Sequence, residues 1–323
     1  MYEKLFNLQK NPFNVTPDPN WLLMTPTHRE SLSGLLYAVY RRKGFVVLTG
    51  EAGTGKTVLL RALMRSSKAA QFSVVLNPTL TRDEFMEMVL LDFGITDIPA
   101  SKAQRLVRLQ DMLSEMQTQG IAPVLIVDEA QRLSVELLEE IRLLTNFETA
   151  DRKLLQIILA GQPELATVLS RHELRQLKQR IEIRLEIKPL SVSEVGIYIQ
   201  HRWVRAGGST PVPFTADAIS TIALASAGIP RLVNVICDTA LLLAYGGRDA
   251  TVKGGHIRQA LRDLDLREPP RMLGDVAQNG KPLHPAMAQN GARPAQMQNG
   301  HAPAATQSRP VGARDNGFWR DTD

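Results

Sequence analysis

The chain has 323 residues and one cysteine, Cys237, so no disulfide can form within it. That argues against a disulfide-stapled secreted scaffold and fits a reducing compartment. The amino terminus, "MYEKLFNLQKNPF", carries charges and no apolar core of a secretory signal. No uninterrupted apolar run approaches the ~18 residues of a membrane helix. The longest, such as "ALLLAYGG", have the length of core segments. The expectation is a soluble, cytoplasmic protein with no direct membrane insertion. A strong excess of one charge is also missing. The net charge is +5, and residues 267–323 hold seven of the 38 basic and five of the 33 acidic residues. Residues 1–266 then carry 31 basic and 28 acidic groups, a balance that argues against a dedicated nucleic-acid binder, which concentrates positive charge in a patch. The six histidines form no metal-ligand pattern with one another or with Cys237, which reads as a small buried residue.

What is present is enough apolar material, 44%, for about two domains of ordinary size. From residue 267 onward the chain turns rich in Pro, Gly, Gln, Asn and Ala, and "QNG" recurs at 278–280, 289–291 and 298–300. Such a segment buries too little apolar surface to offset its ordering entropy, so residues 267–323 are expected to form a disordered tail.

Before that tail, strands and helices alternate. "RKGFVVLTG" reads as a strand entering a turn. "FSVVLNP" (72–78) follows, ended by Pro78, then "APVLIVDEA" (122–130) and "LLQIILAG" (154–161). Short, nearly continuous apolar runs suit parallel strands covered on both faces. "IEIRLEI" (181–187) alternates strictly, with Ile181, Ile183, Leu185 and Ile187 against Glu182, Arg184 and Glu186, as in an edge strand with one wet face. "SKAQRLVRLQDMLSEM" is a helix with Ser101 as candidate cap and Leu106, Leu109, Leu113 and Met116 on one face. After Pro189 only helices follow, each marked off by Gly or Pro. The expected organisation is a leading segment (1–44), an α/β nucleotide domain (45–189), a helical lid (190–266) and the tail (267–323).

The stretch "VVLTGEAGTGKTVLL" holds Gly50, four residues, Gly55, Lys56 and Thr57, the G-x-x-x-x-G-K-[ST] pattern between a strand and a helix. A glycine-rich loop turns successive backbone N–H groups toward phosphate oxygens, and the helix behind it adds its positive dipole end. The expected nucleotide-binding run is Gly50, Glu51, Ala52, Gly53, Thr54, Gly55, Lys56, Thr57 and Val58. Within it Lys56 reaches the β/γ-phosphates and Thr57 ligates Mg²⁺. In "VLIVDEAQ", Asp128 ends an apolar strand and is placed to hold Mg²⁺, while Glu129 can act as general base on the attacking water. The pairing points to ATP hydrolysis with Mg²⁺ rather than passive nucleotide storage.

With both phosphate motifs in place, the chain resembles an AAA+ ATPase. More narrowly, it resembles the ExeA-like (general secretion pathway protein A) ATPases and their soluble relatives of exopolysaccharide and exosortase loci. The resemblance covers residues 1–265 and rests on "NPFNVTPDPNWLLMTPTHRESLSGLLYAV", "GEAGTGKT", "IVDEAQRLSVELLEEIRLLTNFET", "LLQIILAGQPEL", "LRQLKQRI", "LSVSEVGIYIQHRWVRAG" and "GIPRLVNVICDTALLLAYG". It implies a five-stranded parallel sheet, phosphate-loop strand central, with a helical lid. It also implies that Phe13 to Pro17 lie near the adenine, that Gln162 is a polar sensor of the γ-phosphate and that Arg231 is a lid sensor. Without the family, Phe13 reads as an aromatic packed on the core. Arg175 and Arg180, before the edge strand, are the candidate fingers supplied to a neighbouring subunit, with Arg180 preferred. That contact implies a homo-oligomer, ring or open helix.

In that resemblance general secretion pathway protein A itself continues into a membrane helix and a wall-binding region, and this sequence shows neither, so the soluble relatives are expected to be the closer match. Two functions follow. One is an ATPase that drives assembly or remodelling with a protein partner in a secretion or polysaccharide-export system. The alternative is a DNA-associated ATPase of the transposition-helper or initiator type. No helix-turn-helix module follows the lid, which weighs against the alternative.

Overall fold

Strands whose neighbouring residues are all apolar need cover on both faces, and the computed structural model, which describes residues 1–76 and 79–268, provides it. The elements run α1 (Tyr2–Leu5), α2 (Pro26–Tyr40), β1 (Phe45–Gly50), α3 (Lys56–Ser66), β2 (Ala70–Val75), α4 (Arg82–Asp92) and α5 (Lys102–Thr118). They continue with β3 (Ala122–Val127), α6 (Val135–Leu144), β4 (Gln156–Gly161), α7 (Glu164–Val168), α8 (Arg175–Arg180) and β5 (Ile183–Ile187). Four helices close the described part: α9 (Val192–Arg205), α10 (Ala216–Ala225), α11 (Pro230–Gly246) and α12 (Gly254–Asp263). Pro78 and residues 269–323, on which the strand stop and nearly all of the expected tail fall, lie outside the described residues.

The five strands form one parallel sheet in the order β2-β3-β4-β1-β5. Successive side chains of a strand point to opposite faces. Phe45 and Val47 of β1, Leu125 and Val127 of β3, and Ile157 and Leu159 of β4 join one core, with α4, α5 and α6. Val46 and Leu48, Val124 and Ile126, and Ile158 and Ala160 join another, with α2 and α3. The alternating segment becomes β5 at the sheet edge, with Arg184 and Glu186 exposed and Ile187 buried. The phosphate-loop strand β1 is interior, but the middle place belongs to β4. That order puts the end of β4 between the ends of β1 and β3.

In α5 Leu109, Leu113 and Met116 are buried as the spacing requires, although the Ser101 side chain makes no capping bond. The lid has its own core from α9 to α12, and Tyr2 and Phe13 of the leading segment belong to it. The Tyr2 hydroxyl and Asn11 Nδ2 both donate to Asp238 Oδ1 on α11. The first residues therefore pack on the lid.

Candidate nucleotide site

The loop after β1 is shaped by Gly53 and Gly55, at φ +84° and +104°, where an L side chain is strained. A Cβ at Gly53 would also stand 2.7 Å from Arg231 Cβ, because the start of α11 sits directly on the loop. Arg231 N donates to Gly53 O at 3.3 Å. Behind the loop, α3 opens at Lys56 and is held down by Leu59, Leu60 and Leu63. Its first N–H groups and dipole face the loop interior.

Lys56 is only 5% exposed, and its Nζ donates to the carbonyls of Gly50 (2.7 Å) and Glu51 (3.1 Å). Burial lowers its pKa from the ordinary ammonium value, and the carboxylates of Glu129 and Asp128 act against that. Thr57 Oγ1 donates to Asp128 Oδ2 at 2.6 Å. A hydroxyl and a buried carboxylate so close are hard oxygen ligands in the pairing Mg²⁺ uses, the remaining positions being filled by water and substrate phosphate. These residues fit Mg²⁺, which Thr57 and Asp128 would hold.

Asp128 Oδ1 accepts from Glu129 N at 2.9 Å, which turns the chain sharply: Glu129 has φ +53°, ψ +35°. A non-glycine residue held there stores backbone strain of about 1–3 kcal/mol, a frequent mark of functional positions. Glu129 Oε2 accepts from Gln131 Nε2 (2.7 Å) and Gln162 Nε2 (3.3 Å). The end of β4 thus touches the candidate base itself.

A cavity of about 340 Å³ opens beside these groups. Ala52 to Val58 and Glu129 line one side, Val15 to Asp18 and Trp21 to Leu23 another, and Tyr198, Arg202, Arg231 and Asn234 of the lid a third. Gly50, Glu51 and Asp128 act from behind the lining, through Lys56 and Thr57. The expectation for Phe13 to Pro17 divides. Val15, Thr16 and Pro17 line the cavity, whereas Phe13 is buried against Phe214, ring centroids 6.0 Å apart, as the core reading has it. Arg175 and Arg180 do not reach this cavity. With Arg142 they line a separate surface depression, and Arg180 Nη2 donates to Asn146 Oδ1 at 3.2 Å.

Three contributors were not legible. Gln131 stands in plain view two residues after Glu129 in "DEAQ", but no spacing rule assigns it. Arg202 reads as the polar side of an amphipathic helix. In the fold it is buried, donates to the carbonyls of Pro12 and Asn14 (2.6 Å each), and lies 4.9 Å over the Trp21 ring. His28 is buried under the loop, with Nε2 3.2 Å from Thr54 O and Nδ1 2.6 Å from Thr25 Oγ1.

The strand order, the lysine-bearing loop, the paired carboxylates at the end of β3 and the helical lid define an AAA+ ATPase-type P-loop NTPase. Residues 39–169 match the AAA domain family. Within that class the chain is ExeA-like. It is 40% identical over 269 residues to general secretion pathway protein A of Aeromonas hydrophila, across 82% of this chain and 48% of that one. The chain thus spans about half the length of that relative. It is also 25% identical over 254 residues to the ATP-dependent target DNA activator B of Escherichia phage Mu, covering 77% of this chain and 75% of the phage protein. In fold it is similar to the Aeropyrum pernix ORC2 protein in its ADPNP-ADP complexes, with a TM-score of 0.58 and 16% identity over 79% of this chain and 72% of that one. Among the described residues no helix is long and apolar enough to cross a membrane.

Proposed function

We propose that the protein hydrolyses ATP with Mg²⁺ on the cytoplasmic side, and that the cycle drives assembly or remodelling in a secretion or polysaccharide-export system. The observation that carries the chemistry is the convergence of Lys56, Thr57, Asp128 and Glu129 beside a cavity that the lid helps to line. Lys56 exchanges its loop carbonyls for the β/γ-phosphates. Thr57 and Asp128 would hold Mg²⁺, which would supply charge neutralisation at the phosphates. Glu129 orients a water and takes its proton as the oxygen–γ-phosphorus bond forms. The bond from γ-phosphorus to the β,γ-bridging oxygen breaks, and ADP and phosphate leave. Arg231, on the loop from the lid side, answers the γ-phosphate charge. The secretion context is supported by the likeness to general secretion pathway protein A.

Lys56→Ala should abolish tight nucleotide binding. Glu129→Gln should bind ATP as the parent does and lose about 10²–10⁴-fold in turnover, the usual contribution of a general base. Equilibrium binding and steady-state phosphate release check both. A Glu129→Gln protein that turns over at the parent rate removes Glu129 from the reaction. The likeness to the phage DNA activator supports a second reading, a DNA-associated ATPase. Duplex DNA added to the assay decides it: stimulation favours that reading, and an unchanged rate favours the secretion role.

A further inference from the structure

Beside the cavity, Gln131 joins the loops after β3 and β4 through both ends of its amide and has no part in the scheme above. Gln131 Nε2 donates to Glu129 Oε2 at 2.7 Å, and Gln131 Oε1 accepts from Gln162 N at 3.1 Å. The second bond fixes which way the amide faces, since an N–H can only donate. Space for that oxygen depends on Gly161, the last residue of β4, where a Cβ would lie 2.7 Å from Gln131 Oε1. The sharp turn at Glu129 and the short 3₁₀ turn Ala130–Arg132 bring the Gln131 side chain back to this point.

We propose that Gln131 is a positioning residue for hydrolysis, one that aims the Glu129 carboxylate and ties it to the end of β4. This rests on the reading of Glu129 as the base. A half-buried carboxylate on a single residue can rotate through several rotamers, and only some face the water. Two amides converging on Oε2 select one of them and direct Oε1 toward the attacking water. The bond to Gln162 N makes that aim depend on the separation of the β3 and β4 ends. Misplacement of a catalytic group by about 1 Å can cost 10²-fold in rate, so the loss of this brace is visible in turnover.

The test uses the full chain with Mg-ATP. Gln131→Ala should lower kcat about tenfold to a hundredfold, while affinity for a fluorescent ATP analogue stays within about twofold of the parent, since the group touches the base and not the nucleotide. Gly161→Ala, which crowds the same oxygen, should show the same split. In the Glu129→Gln background Gln131→Ala should remove nothing further, because its effect passes through Glu129. Gln131→Glu keeps the size but sets a second carboxylate against the first, so it should show the same loss of kcat with nucleotide affinity kept. An equal loss from Gln131→Ala in both backgrounds, or a loss confined to nucleotide affinity, overturns the proposal. If Gln131→Ala does not fold, a Gln131→Glu protein with the parent's kcat overturns it. A Glu129→Gln protein with full turnover instead removes the base assignment, a separate failure.

Discussion

Glu129 and His28 show how single residues at the loop depend on their surroundings. Glu129 holds a left-handed backbone that a side chain resists, and Asp128 Oδ1 offsets part of the cost by accepting from its N–H. His28 is buried, and burial lowers its pKa below the ordinary histidine value. Its contacts suit the neutral ring, with Nε2–H donating to Thr54 O and Nδ1 accepting from Thr25 Oγ1. The unfolded chain protonates this ring near pH 6.5. Between that pH and the depressed folded value, the unfolded state binds the extra proton. Stability from His28 is therefore complete above about pH 6.5 and declines as the pH falls. His28→Gln should lower the melting temperature at pH 7.5 but narrow the difference between pH 7.5 and pH 5.5, as read by thermal melts. A difference as wide as the parent's assigns the acid sensitivity elsewhere.

At the level of elements, the motif residues sit where they do because parallel strands all end on one side. Order in the sheet then decides which ends are neighbours, and β4 between β1 and β3 brings Gln162 to Glu129. Helix α9 of the lid makes the other decisive contact. Among the described residues no carboxylate forms a salt bridge with Arg202 in its buried place. It rests instead on two carbonyls of the leading segment and between the rings of Trp21 and Tyr198. Arg202→Met leaves the carbonyls of Pro12 and Asn14 without that donor, a change expected to cost on the order of 2–4 kcal/mol from the loss of charge-assisted hydrogen bonds. Because Val15, Thr16 and Pro17 line the cavity just beyond those carbonyls, nucleotide affinity should fall with stability. Chemical denaturation and nucleotide titration on one preparation check it. Unchanged affinity in a destabilised protein separates the latch from the site.

At the level of the whole molecule, the unanswered geometry is that of Arg175 and Arg180, which lie apart from the chain's own cavity. We propose that they act on a neighbouring subunit, a head-to-tail contact that builds a ring or an open helix. An arginine supplied in trans is worth about 10³–10⁵ in related phosphoryl transfers. Arg180→Ala keeps Glu129, and Glu129→Gln keeps the arginine, so each should be inactive alone. Mixed, they form some interfaces with both groups intact, and part of the ATPase activity should return. A mixture that co-assembles and stays inactive excludes Arg180 as the group acting across subunits.

Features that depend on near neighbours can be read along the chain. The run Gly50 to Val58 is legible because loop, dipole and lysine follow one another along the chain, and Asp128 and Glu129 because four apolar residues set them at a strand end. The alternation at 181–187 sufficed for an edge strand, since one wet face imposes period two. Which distant groups meet follows from how the elements pack. Gln131 meets Gln162 because β4 lies beside β3, and Arg202 meets Pro12 because the leading segment packs into the lid core with Phe13. Such contacts leave no periodic signature, since a hydrogen bond between residues 31 or 190 positions apart constrains their separation in space and not their spacing in sequence.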